Sequence, residues 1–244
     1  MTRLDQALVE RALCDSREKA KRLVLAGAIR VNGHPARKAS DSVKPADEIT
    51  VTAPEKFVSR GGHKLEHALA HFQLDVTGIT AIDLGASTGG FTDCLLQRGA
   101  AKVFAVDVGQ GQLAWKLRRD SRVVVREKTN ARHLKPEDFP APADLVVVDC
   151  SFISLKKILP AAGPLLKPGG KLVALIKPQF EAGKAEADQG RGVITNPAIH
   201  DRVLAELEEF VAAQAGLCWR AVVESPLLGP AGNKEFLALI EKAR

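Results

Sequence analysis

Two groups of residues have the types and spacing to do chemistry. The first lies in DLGASTGGF, where Asp83 stands two residues before Gly85 and is followed by Ser87, Thr88, Gly89, Gly90 and Phe91. Glycines at a strand-to-helix turn let the backbone approach a ligand, and the first N–H groups of the helix point at it. A dinucleotide site would need G-x-G-x-x-G. An acid ahead of Gly85 and an adjacent glycine pair suit a nucleotide without pyrophosphate better, and Asp107, ending the next apolar run, is spaced to accept both hydroxyls of an adenosine ribose. The second group is four charges: Lys64, Asp149 at the end of DLVVVD, Lys177 at the end of KLVALIK, and Glu235 in GNKEFL. Ligands of open parallel sheets bind at the carboxyl ends of the strands, so Asp149 and Lys177 belong on the rim that carries the glycine loop. One charge ending an apolar strand reads equally well as its first solvated position. Several at one rim weaken that reading.

Elements able to hold these groups follow from hydrophobic periodicity. Helices alternate with short apolar runs from Lys64 onward, and TAIDL, KVFAVD, RVVVRE, DLVVVD and KLVALI mostly lack alternation, as strands covered on both faces do. The expected fold class is α/β, a Rossmann-like, doubly wound and mostly parallel sheet. LCWRAVVES and KEFLALIEK, after a helix near residues 199–213, form an antiparallel end to it. Ahead of this lies a small α+β unit. Leu4, Ala7, Leu8 and Ala12 share one helical face, Ser16 is placed to cap a second helix ending near Gly27, and Asn32-Gly33 turns between strands, with residues 48–51 closing the unit. The boundaries expected are 1–53 for the small domain, 54–62 for a Pro- and Gly-bearing linker and 63–244 for the large domain.

Composition bounds the function. The 244 residues are 45% hydrophobic with a net charge of +6, and residues 1–60 hold twelve basic against eight acidic side chains, which favours a polyanionic partner there. Cys14, Cys94, Cys150 and Cys218 form no C-x-x-C pair, so neither a zinc site nor a disulfide framework is expected, and a reducing cytoplasm fits. Cys150 reads as an inert thiol and His63 as a solvated residue at a helix start. No signal peptide or membrane span is readable.

The glycine loop with Asp107 resembles the first two motifs of S-adenosylmethionine-dependent methyltransferases. That resemblance implies Asp83 at the amino-acid part of the cofactor and Asp107 at its ribose. Asn130 is a candidate for the adenine edge, an ordinary loop asparagine being the alternative. Six stretches in order extend the likeness over nearly the whole chain: SRGGHKLEHAL, DLGASTGGFTDCLL, DVGQGQL, DLVVVDCSFISL, LIKPQFE and GNKEFL. The sequence thus resembles the TlyA family of RNA methyltransferases, also known as hemolysin A-like, whose catalytic domain is similar to FtsJ-type ribose methyltransferases with a Lys-Asp-Lys-Glu tetrad. Its N-terminal stretches RLDQALVERAL and SREKAKRLVLAGAIRVNG resemble the family's ribosomal-protein-S-four-like domain. The resemblance implies a tetrad of Lys64, Asp149, Lys177 and Glu235, S-adenosylmethionine as cofactor with Asp149 also at its site, and 2'-O-methylation of a cytidine ribose in ribosomal RNA. Brevity at both ends favours the large subunit alone.

A ribose hydroxyl needs a base and in-line positioning rather than a metal. Lys177 is the base of choice, with Lys64 stabilising the alkoxide and both carboxylates orienting the amines. Arg3, Arg17, Lys19, Lys21, Arg22 and Arg30 are candidates for phosphate contacts around the second small helix, a solvated helix face being the alternative. Phe57 is the one aromatic in residues 1–60, so structured ribosomal RNA or a ribosomal subunit is expected rather than single strands. Residues 181–192 read as a loop beside the site, either a lid or an ordinary connection. A membrane-active hemolysin and a catalytically inactive RNA-binding protein are the rival functions. The oligomeric state is not legible.

Overall fold

The computed structural model describes residues 1–52, 56–183, 186, 188 and 190–244. It divides into two compact units, Met1–Lys56 and Phe57–Arg244. In the first, helix α1 (Leu4–Glu10) follows a two-residue strand β1 (Thr2–Arg3), and helix α2 (Arg17–Leu25) begins at Ser16, whose side chain accepts the Lys19 N–H at 3.2 Å. This is the expected cap. Strands β2 (Ile29–Val31) and β3 (His34–Pro35) meet through Asn32 and Gly33, both at positive φ, as a tight hairpin turn requires. Strand β4 (Ser42–Val43) pairs with β1, and β5 (Ile49–Val51) pairs with β2. Leu4, Leu8, Ala20, Val24 and Ile29 form the core of this unit.

The second unit starts earlier than the sequence suggests. Helix α3 runs Gly61–His71, so Lys64 lies within its first turn rather than opening it, and Phe57 is buried against its start. A Cβ at Gly62 would overlap the Phe57 ring. Residues 57–62, expected in a linker over 54–62, are therefore packed parts of the second unit. Gly62 allows this close approach, whereas a glycine pair seen in sequence alone suggests a linker.

Strand β6 (Thr80–Leu84), helix α4 (Gly90–Gln97), β7 (Lys102–Val106), the single-turn helix α5 (Trp115–Arg118), β8 (Val123–Arg126) and β9 (Ala143–Val148) follow in order. Next come α6 (Leu159–Ala162), β10 (Leu166–Ile176), α7 (Pro178–Glu181), α8 (Pro197–Ala213), β11 (Leu217–Glu224) and β12 (Phe236–Lys242). The seven-stranded sheet has the order β11-β12-β10-β9-β6-β7-β8, with β12 antiparallel to both its neighbours and the other pairs parallel. Apolar runs without alternation follow from coverage on both faces. Ile82 and Val146 enter one core with Leu159, Val203 and Leu207, while their neighbours Ala81 and Val147 enter the other with Leu65, Leu69 and Leu95. This is the doubly wound architecture expected.

Candidate active site

Register brings the four charges to one rim. Val148 pairs with Ala174 across β9 and β10, so Asp149 and Lys177 both leave their strands at the carboxyl end. Glu235 immediately precedes β12, and because that strand runs antiparallel with Ile176 opposite Phe236, its start lies where β10 ends. Lys64 arrives from α3 and forms a buried ion pair with Glu235. Lys177 Nζ lies 2.6 Å from Asp149 Oδ1 and donates to Ser151 Oγ at 2.8 Å. Lys64, Lys177 and Glu235 are among the few buried charged side chains. Desolvating the Lys64–Glu235 pair costs several kcal/mol, which a stability role alone would not repay. A missing Cβ at Gly229 leaves room for the Glu235 carboxylate, and the Asn233 side chain bonds backbone of Gly192 and Ile194 at 2.8 Å each.

The tetrad opens into a cavity of about 650 Å³ whose lining also includes Asp83, Gly85, Ser87, Thr88, Gly90 and Phe91. A second cavity of about 440 Å³ shares Gly85, Ser87 and Asp149 with the first and adds Asp107 and Asn130. Gly89 lines neither; a Cβ there would run into Leu113 and Leu117, and its φ of 100° caps α4. Gly85 likewise serves backbone packing, because a Cβ would stand 2.7 Å from the Asp149 carbonyl oxygen. Gly85 lets two strand ends meet, and Gly89 lets the turn seat on two leucines.

The two cavities carry polar groups, mostly carboxylate acceptors, that fit the parts of an adenosine-bearing amino acid. Asp83 is fully buried; one oxygen accepts both the Thr92 N–H at 2.9 Å and its hydroxyl at 2.7 Å, and Oδ1 has no partner. Burial, helped by the nearby carboxylates of Asp149 and Asp107, pushes the Asp83 carboxyl up to about 7. A cationic ammonium at Oδ1 would satisfy the orphaned acceptor and restore the charge. Asp107 is fixed by the Ser87 N–H at 2.8 Å and the Gly109 N–H at 2.7 Å, which orient it toward the second cavity. Asn130 caps a short 3-10 turn through the Arg132 N–H at 3.1 Å, so it has a structural task beside any contact with a base. Cys150 is inert, its thiol pushed up to about 12 by burial. His63 is half-buried, edge-on to Phe57 at 5.0 Å.

The spacing of motifs did not reveal Phe152, which is 90% exposed at a φ of 63°, lines both cavities and lies 5.2 Å from the Phe180 ring. Its signal is exposure at a left-handed turn, which only the tertiary structure supplies. Residues 184, 185, 187 and 189 of the expected loop over 181–192 lie outside the described residues. At the near end of that loop, Glu181 accepts from Ser154 and Leu155, tying α7 to the Phe152 loop.

The FtsJ-like methyltransferase model matches residues 57–242, and the S4 domain model matches residues 2–49. The chain belongs to the FtsJ-like methyltransferase family. Among relatives of this methyltransferase, the 16S/23S rRNA (cytidine-2'-O)-methyltransferase TlyA of Mycobacterium tuberculosis is 48% identical over 96% of this chain and 87% of its own. Hemolysin A of Brachyspira hyodysenteriae is 40% identical over 97% and 98% respectively. A solved structure of a hemolysin-named protein from Streptococcus thermophilus covers 99% of this chain and 88% of its own, with 44% identity and a TM-score of 0.76.

In the N-terminal unit the RNA-contact candidates divide. Arg3 and Arg17 both bond the buried Asp5 carboxylate, at 3.0 Å each, Lys19 pairs with Asp15 at 2.6 Å and Arg30 donates to the Gly33 carbonyl at 3.1 Å. Lys21 and Arg22 are exposed and make no ion pair among the described residues. They are the members of the set most available to phosphate.

Proposed function

We propose that this methyltransferase uses S-adenosylmethionine to methylate the 2'-hydroxyl of a cytidine in ribosomal RNA, with 23S rRNA as the first substrate to test. The convergence of two lysine–carboxylate pairs on the cavity that also holds the glycine loop carries this reading. Lys177 Nζ, once deprotonated, accepts the 2'-hydroxyl proton. Lys64, held by Glu235, keeps positive charge beside the developing alkoxide, and Asp149 with Ser151 aims the Lys177 amine. Asp83 would hold the cofactor's ammonium and Asp107 its ribose, with Asn130 at the adenine edge. The cofactor, when bound, supplies an electrophilic methyl group on a sulfonium. Phe152 offers a ring face at the mouth of the cavity, where the target base must stand clear of its stack.

The N-terminal unit brings Lys21 and Arg22, with Arg3, Arg17, Lys19 and Arg30 as secondary contacts, to the RNA backbone. An rRNA substrate places the enzyme in the cytoplasm. A membrane-active role has less support: no helix of the described residues is long and apolar enough to cross a membrane. The test is transfer of labelled methyl to 23S and 16S rRNA, with 2'-O-methyl sites mapped in cells with and without the gene. Absence of transfer to either RNA would leave an inactive RNA-binding protein or a hemolysin.

A further inference from the structure

Among the described residues two large aromatic side chains are exposed, Phe152, which lines the catalytic cavity, and Trp115, which does not line it but follows Ala114, a residue bonded to the cavity's Thr88. Trp115 opens α5 and is 71% exposed. Its segment is nevertheless firmly seated. The preceding Ala114 N–H donates to the Thr88 carbonyl at 3.0 Å, and Thr88 lines the cavity. Leu113 and Leu117, on either side in sequence, are buried against the glycine loop, so the single turn spends its inward face on them and turns the indole outward. Arg118 donates to the Leu113 carbonyl at 3.1 Å and pairs with Glu127, which fastens the turn from the other end. A large apolar ring held rigidly in water beside a nucleic-acid-modifying site has no packing role to explain it.

The surroundings of the ring identify what it would meet. Residues 108–128 hold six basic side chains and two acidic ones. Lys116 is exposed over more than half its side chain while reaching Asp93 at 2.9 Å, and Arg119 is exposed with no ion pair among the described residues. Aromatic rings interleaved with cations are the surface that single-stranded RNA recognises, since every base has a stacking face and every linkage a phosphate. A second copy of the chain would be a poorer fit, because copies would bring like charges together.

We propose that Trp115, with Arg119 and Lys116, forms a stacking platform for an unpaired nucleotide next to the methylated one. This rests on the rRNA reading above, and adds to the N-terminal unit a contact made by the catalytic unit itself. The expectation of structured RNA rather than single strands rests on the single aromatic of residues 1–60 and does not extend to this surface.

The experiment uses the full chain and deproteinised 23S rRNA. Trp115→Ala should weaken RNA binding by about tenfold, Trp115→Phe should restore most of it, and cofactor affinity should be unchanged in both. The chain has two tryptophans, so in a Trp219→Phe background Trp115 is the only fluorophore and its emission should fall on titration with this RNA but not with a fully paired duplex. Binding by Trp115→Ala within twofold of wild type, or emission that RNA leaves unaltered, overturns the platform. So does a Trp115→Ala variant whose changed behaviour is loss of self-association in sedimentation with RNA affinity intact. A wild-type chain that neither binds nor methylates rRNA overturns the functional reading itself, and is told apart because the variants are then never needed.

Discussion

Each unit buries an aspartate, and the two are treated in opposite ways. In the N-terminal unit Asp5 is fully buried and both its oxygens accept from guanidinium groups, Arg3 and Arg17; the Arg3 hydrogen bond above all holds its carboxyl down at about 2. In the catalytic unit Asp83 is as deeply buried, yet one oxygen has no partner and its carboxyl is pushed up to about 7. A satisfied buried charge is a structural joint. An unsatisfied one at the wall of a cavity is stabilised by what the cavity receives, and this contrast separates the N-terminal unit from the catalytic one better than composition does.

The sharpest test of that contrast targets the chemistry. Lys177→Ala should lower single-turnover methyl transfer by about 10²- to 10⁴-fold while cofactor and RNA binding persist. Lys177→Arg should fail to rescue it, because a guanidinium stays protonated; a near-normal rate in that variant would reduce Lys177 to positioning.

Next in size is the cofactor's dependence on Asp83. Asp83→Asn should weaken S-adenosylmethionine binding by about ten- to a hundredfold, since a charge-assisted bond becomes a neutral one. Wild-type affinity should rise with pH through about 7, with a proton released on binding below that pH. Calorimetry in buffers of different ionisation enthalpy reads this directly, and pH-independent uptake without proton release would remove Asp83 from the ammonium site. Stability of the ligand-free protein carries the matching sign. A carboxyl whose folded value lies above its unfolded value of about 3.9 contributes stability that is full below that pH and lost as pH rises through about 7.

Asp5 should show the reverse. Its contribution is present above about pH 4 and lost as pH falls through about 2. Asp5→Asn should destabilise the N-terminal unit by about 1–3 kcal/mol in denaturant melts without touching cofactor affinity. A smaller effect is expected on the exposed face of α2. Replacing Lys21 and Arg22 together should make the slope of log affinity against log salt shallower by up to about two phosphate contacts. The pair is cleaner than a set including Arg17, whose loss would also strip Asp5 of a partner.

Local signals in the sequence determined much of this protein. Apolar runs without alternation announced strands covered on both faces, Ser16 and Asn32-Gly33 announced a cap and a turn, and ordered motifs named the charges and the glycine loop. Each of these depends on neighbours a few residues apart. Tertiary structure alone decided the rest. Lys64 meets Glu235 only because antiparallel pairing sets Ile176 opposite Phe236, a register that no local pattern contains. The assignment of Phe57 and the two following glycines to the catalytic unit, the seating of Gly89 on leucines, and the exposure of Phe152 and Trp115 are likewise facts of packing. The physical reason is the same throughout: a side chain's type is written at its own position, but what buries it, pairs it or leaves it in water is supplied by residues distant in sequence.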